Sequence, residues 1–172
     1  MKIFLRIIHF LILLVFLIVQ VVFLGQFRFY GAGISILFVA VIAVSIIDGY
    51  VYGVLYGFFF GFLMDMLLGQ IAGVNALVFS IAAYTAYRIY KLGFKPRTLT
   101  YVIIVPIVSL IDVIIPNLVY YMFGFGIRPF FFFVGLFLQP AINTVLLFPV
   151  FYLFKLGSLR KEEIGFLYKK KI

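Results

Sequence analysis

The chain has no cysteine, no tryptophan, one histidine and five acidic residues among 172. Without cysteine, disulfides, thiolate-bound metals and thiol nucleophiles are excluded, and no cysteine usage marks a redox compartment. His9 and five carboxylates leave little from which to build a catalytic or metal centre. No G-x-S-x-G, H-E-x-x-H or phosphate-loop pattern occurs either, so neither an enzyme nor a cofactor is expected. Charge of both signs is scarce at 11% of residues, against about 25% in an ordinary soluble domain. What fills the chain is apolar: 67% of residues are hydrophobic and the mean hydropathy is +1.30. No soluble core of this length could bury so much, and the composition is that of an all-α, polytopic membrane protein forming a single domain over 1–172.

Six apolar segments are predicted, at about 7–24, 32–48, 50–68, 73–90, 101–123 and 130–154, followed by a basic tail over 155–172. The second is short. Its apolar core, about 14 residues, covers about 21 Å of a hydrocarbon layer about 30 Å thick, so it extends at its ends or thins the bilayer locally. The first segment follows Lys2 and Arg6 as a signal peptide would. Its apolar run of about 18 residues exceeds the usual 7 to 15, and Gly25-Gln26-Phe27-Arg28 offers no small-x-small cleavage site, so a retained anchor is expected.

Charge placement sets an orientation. With six spans, twelve basic residues fall on one side, among them Lys2, Arg6, the Arg88 to Arg97 cluster and those from Lys155 to Lys171; only Arg28 and Arg128 fall on the other. By the positive-inside rule both termini are cytoplasmic, and omitting the short second segment would put the Arg88 to Arg97 cluster outside. The net charge of +9 therefore reads as topology with some attraction to anionic lipid, and no nucleic-acid partner is expected. Tyrosines such as Tyr50, Tyr87, Tyr101 and Tyr121 gather near segment ends, where an amphipathic ring keeps its hydroxyl wet. The phenylalanine runs 58–60 and 130–133 read as lipid-facing or packing bulk.

The third segment carries a regular pattern. Gly49, Gly53, Gly57, Gly61, Asp65, Gly69 and Gly73 recur at four-residue intervals, and four residues are slightly more than one helical turn. The glycines of the helix thus form a groove without side chains, suited to close approach by another helix of this chain or of a partner. Polar residues inside other segments are the remaining candidates. Asp112, near the middle of the fifth segment, must face a partner or be protonated, since an ionised carboxylate at membrane depth costs at least about 2.5 kcal/mol. Pro116, one turn on, has no N–H and so frees the backbone carbonyl of Asp112. The sixth segment places Gln139 and Asn143 on one face. Topology brings Asp65, Asn75, Asn117 and Arg128 toward the outer ends of their helices. Such a cluster serves either as a recognition site or as a set of helix caps that satisfy each other, with Arg128 neutralising a carboxylate.

The stretch 56–77, with Gly57, Gly61, Asp65, Gly69 and Gly73 in G-x-x-x-G-x-x-x-D-x-x-x-G-x-x-x-G order, resembles the central signature of the bacterial rod shape-determining MreD family. Ser109-Leu110-Ile111-Asp112, and Arg128-Pro129 before a last helix with Asn143 and Pro149, resemble it too; the phenylalanine-rich start of that helix departs from it. The resemblance implies a non-enzymatic scaffold of the cell-elongation machinery in the cytoplasmic membrane. Its implied partners are a bitopic MreC-like protein, an actin-like MreB filament, a RodA-like glycosyltransferase and a class B penicillin-binding protein, acting together in lateral peptidoglycan synthesis. The family's fold is similar to the substrate-binding subunits of energy-coupling-factor vitamin transporters, which supplies an alternative function. Those subunits dock their energising partner through small residues on the first helix. Residues 3–24 here contain no Ala, Gly, Ser or Thr, which favours the scaffold.

Overall fold

A computed structural model describes residues 2–24, 28–29, 32–68, 71–92, 98–126 and 128–169. They form six helices: α1 (Lys2–Val19), α2 (Ile36–Asp48), α3 (Tyr50–Leu68), α4 (Val74–Lys91), α5 (Thr98–Met122) and α6 (Pro129–Lys169). Helices close their backbone hydrogen bonds within the segment, which an apolar surrounding demands. Among the described residues, four stretches are long and apolar enough to cross a membrane: Phe4–Leu24, Tyr50–Leu68, Thr100–Met122 and Pro129–Phe154.

The second helix differs from expectation. Residues 32–33, placed inside it by the sequence, instead form strand β2 (Ala32–Gly33), antiparallel to β1 (Arg28–Phe29) with Arg28 opposite Gly33. The cause lies in α1, which ends in a π-helical turn, Gln20–Leu24. The Gln20 side chain, 3% exposed, donates to the Ile34 carbonyl at 2.6 Å and accepts the Ile36 N–H at 2.9 Å. That pairing fixes the strand-to-helix junction and starts α2 at Ile36. From Leu37 to Ile46 every residue of α2 is buried, enclosed by α1, α3, α4 and α6. A helix that is apolar all round is one surrounded on all sides. At 13 residues it is about 20 Å long, and neighbouring protein covers it.

Other boundaries shift less. The helix α1 already begins at Lys2, and α5 begins at Thr98. The last helix runs on to Lys169, through most of the stretch expected as a tail. No proline interrupts residues 155–169, so nothing there forbids continuing helical hydrogen bonds. Between α5 and α6 the chain turns at Gly124, whose φ is +82°. The Phe125 N–H reaches the Tyr120 carbonyl at 3.0 Å and the Gly124 N–H the Tyr121 carbonyl at 3.0 Å, the paired bonds of a Schellman cap that needs a left-handed residue.

The bundle has two chemically distinct ends. At one, the Arg6 guanidinium lies 3.9 Å from the centroid of the Tyr52 ring, Tyr50 meets Tyr84 and Tyr87, and Arg88 and Lys91 flank the same tyrosines. At the other lie the α3–α4 turn, the α5–α6 turn and β2. Phe58, Phe59, Phe130 and Phe133 are exposed on the bundle's surface.

Candidate functional site

The glycine groove is filled from within the chain. A Cβ at Gly57 would stand 2.9 Å from the Phe79 carbonyl carbon and oxygen, and one at Gly61 would stand 2.6 Å from the Asn75 carbonyl oxygen and 2.7 Å from the Ala76 nitrogen. The backbone lying there is that of α4. One turn before, a Cβ at Gly53 would stand 2.6 Å from Cα of Ser45 on α2. The Ser45 hydroxyl in turn donates to the Ala83 carbonyl at 2.5 Å, so α2, α3 and α4 meet without intervening bulk. Of the two readings open for this groove, a partner's helix has no room at Gly53, Gly57 or Gly61. Gly49 and Gly73 lie at helix ends with φ of +98° and +97°, and Gly69 is outside the described residues.

Asp65 continues the α3 face and ends in a different role. It is fully buried and faces the start of α4, where Gly73 supplies no side-chain cap. Its carboxylate accepts the backbone N–H of Gly73 at 2.9 Å and that of Asn75 at 3.0 Å, together with the Asn75 side-chain amide at 2.7 Å. The Ala76 N–H lies at 3.4 Å. The first N–H groups of a helix have no partner inside it and carry its positive dipole end. A carboxylate from α3 meets both needs, which is why an acid stands in register with the glycines.

Beside this cap opens a cavity of about 390 Å³, lined by residues of β2, α3, α4, α5 and α6 and of the turns between them, among them Asn75, Asp112, Asn117, Arg128 and Gln139. Tyr120, Phe125, Phe131 and Phe132 contribute aromatic wall. Gln139, 5% exposed, organises one side: its carbonyl oxygen accepts the Gly33 N–H at 2.8 Å and its amide donates to Asp112 Oδ2 at 2.9 Å. Asp112 thus faces a partner on α6. Asn117 donates to the Val113 carbonyl at 2.7 Å, and the exposed Arg128 has its guanidinium 6.0 Å from the Phe131 ring centroid. One turn deeper, fully buried Asn143 donates to Ser109 Oγ at 3.0 Å, which donates to the Val105 carbonyl at 2.7 Å. Asn143 Oδ1 is buried with no hydrogen-bond partner among the described residues.

The polar residues singled out from the sequence therefore divide. Asn75, Asp112, Asn117 and Arg128 share the cavity wall. Asp65 sits behind Asn75, taken up by backbone N–H groups, and Asn143 lies beneath the wall with Ser109. Sequence reasoning missed Gly33 and Ser35 as lining residues because it placed the start of α2 too early. It also missed the contact between His9 on α1 and Asp48 at the end of α2. The buried His9 also meets Phe154, ring edge-on at 5.3 Å between centroids. Antiparallel neighbours place the start of α1 and the end of α2 at one level, which was the available signal.

Among the described residues, no three His, Asp or Glu side chains gather as metal ligands would. Asp65, Asp112 and Asp48 are instead bound to a helix terminus, an amide and an imidazole respectively. Neither the curated proteins nor the solved structures contain a match to the chain. A family model does match, over residues 1–156, from the first helix through the cavity to the apolar part of α6. Its span takes in the helices able to cross a membrane, the glycine face that seats α4 and the aspartate that caps it, and the chain belongs to the rod shape-determining protein MreD family.

Proposed function

We propose that the protein, whose family gives it a role in rod shape determination among proteins associated with the cell-elongation machinery, acts there as a non-enzymatic scaffold in the cytoplasmic membrane, crossing it six times with both termini inside. It holds a bitopic MreC-like partner and, through it, a MreB-like filament, a RodA-like glycosyltransferase and a class B penicillin-binding protein, so that lateral peptidoglycan synthesis follows the cell axis. The observation that carries this reading is the use made of the signature acid. Asp65, fully buried, is taken up by four donor groups at the start of α4, a structural task that gives the bundle a fixed shape to present to others. Partner contact falls outside the glycine groove, which α2 and α4 occupy. The basic end, with Arg6, Arg88 and Lys91, faces anionic lipid on the cytoplasmic side by the positive-inside rule.

The cavity favours a second reading, a substrate-binding subunit of an energy-coupling-factor type transporter. The lack of small residues over 3–24 weighs against it, because such a subunit uses them to dock its energising module. Affinity purification from native membranes decides between the two. Recovery of cell-elongation proteins supports the scaffold, and recovery of a paired ATPase module overturns it.

A further inference from the structure

We propose that the protein binds an internal water molecule at the proline kink of α6, where the water donates one hydrogen to Asn143 Oδ1 and the other to the backbone carbonyl of Leu136. Asn143 is fully buried, and its Oδ1 has no hydrogen-bond partner among the described residues. The way its amide faces follows from its neighbour. Ser109 Oγ gives its single hydrogen to the Val105 carbonyl at 2.7 Å, so toward Asn143 it can only accept, and it takes the Nδ2 hydrogen at 3.0 Å. Turning the amide over would set two acceptors against each other. Oδ1 is thus the group left over, in an apolar bundle where a bare acceptor costs free energy until something donates to it.

The second acceptor comes from Pro140, which lies inside α6. A proline has no N–H for the carbonyl four residues earlier, here that of Leu136, and its ring pushes that carbonyl aside and opens the ladder. Leu136 and Asn143 are seven residues apart, close to two full turns, so they share a face of α6. Helical side chains lean toward the N-terminus, which carries the Asn143 amide back toward the level of the kink. The Pro140 carbonyl is already supplied by Thr144 Oγ1 at 2.7 Å. Two acceptors on one face of a buried helix call for a small molecule with two donors, and water is what fills such places between buried polar groups and beside transmembrane prolines. It would tie the part of α6 that walls the cavity, with Phe131, Phe132 and Gln139, to the part beneath.

The test is solid-state NMR on the full chain in lipid bilayers, with asparagine carrying nitrogen-15 in its side chain. The sequence has three asparagines, Asn75, Asn117 and Asn143, and magnetisation is passed from water protons to their amides. The Asn143 signal is the one missing from Asn143→Leu or, should that variant not fold, the one left when Asn75→Ser and Asn117→Ser are combined. It is expected to receive magnetisation from water despite its full burial, and to keep doing so in Ser109→Ala, where no hydroxyl can relay it. Pro140→Ala returns an N–H to the Leu136 carbonyl and is expected to lose most of the transfer to Asn143, with the Asn75 and Asn117 signals unmoved. No transfer to Asn143 while Asn117, at the cavity, receives it overturns the proposal. Loss of transfer in Ser109→Ala also overturns it, and undiminished transfer in Pro140→Ala overturns the bridge to Leu136.

Discussion

The carboxylate of Asp65 on α3 accepts the backbone N–H of Asn75 on α4 at 3.0 Å, so one helix caps the next across a ten-residue gap in sequence. A helix that begins inside a membrane protein has no water to satisfy its first N–H groups, and each one left bare costs free energy. Asp65→Ala is expected to destabilise the fold by about 3 kcal/mol or more, since at least two charge-assisted bonds of about 1.5 kcal/mol each are lost. Asp65→Asn keeps an acceptor and should lose less. Chemical unfolding of the purified variants in detergent measures both, and an Asp65→Ala protein as stable as the parent would overturn the capping role.

The closeness of α3 and α4 gives a second expectation. At Gly61 even one methyl group would stand 2.6 Å from a backbone oxygen of α4, which cannot swing aside as a side chain could. Gly61→Ala should therefore cost about 1 to 3 kcal/mol by overpacking. Gly126→Ala, with nothing within 4 Å of the new atom, should stay within about 0.5 kcal/mol of the parent. The contrast between the two unfolding midpoints is the measurement.

His9 and Asp48 join α1 to the far end of α2. Both side chains are mostly buried, at 7% and 14% exposed, and removing one partner of such a pair leaves the other in poor surroundings. His9→Phe is expected to destabilise by about 2 kcal/mol or more, and Asp48→Leu added to it should recover part of the loss. A double-mutant cycle gives the coupling, expected at about 1 to 3 kcal/mol. A coupling near zero would show the contact to be incidental.

Orientation is open to a clean chemical test because the chain has no cysteine of its own. With both termini inside, Gly126→Cys should react with a membrane-impermeant maleimide on intact cells. Lys91→Cys, exposed at the opposite end, should react only after permeabilisation. The reverse pattern would invert the topology.

The helices were legible from the sequence because length and hydropathy alone decide them, and Tyr50–Leu68 stands where it was expected. The beginning of α2 was not, because it depends on the Gln20 side chain reaching Ile34 and Ile36 from another element. For the glycine face, the interval revealed close approach but not which helix approaches; only the positions of Phe79 and Ala76 identify α4. Among the polar residues, spacing put Gln139 and Asn143 on one face of α6. Their partners, Asp112 and Ser109, became evident only when α5 and α6 were seen side by side. Side-chain reach between helices is a property of three-dimensional packing, and periodicity carries no record of it.

The enclosed second helix also bears on how the protein is made. Its 13 residues, about 20 Å in length, are too short to rest comfortably in a bare bilayer about 30 Å thick. One of the walls around it, α6, follows it in the chain only after three other helices. Until then α2 has lipid or water where protein belongs. The enclosure of α2 is therefore incomplete until α6 has been made, and a chain stopped after α5 leaves one side of its central helix uncovered.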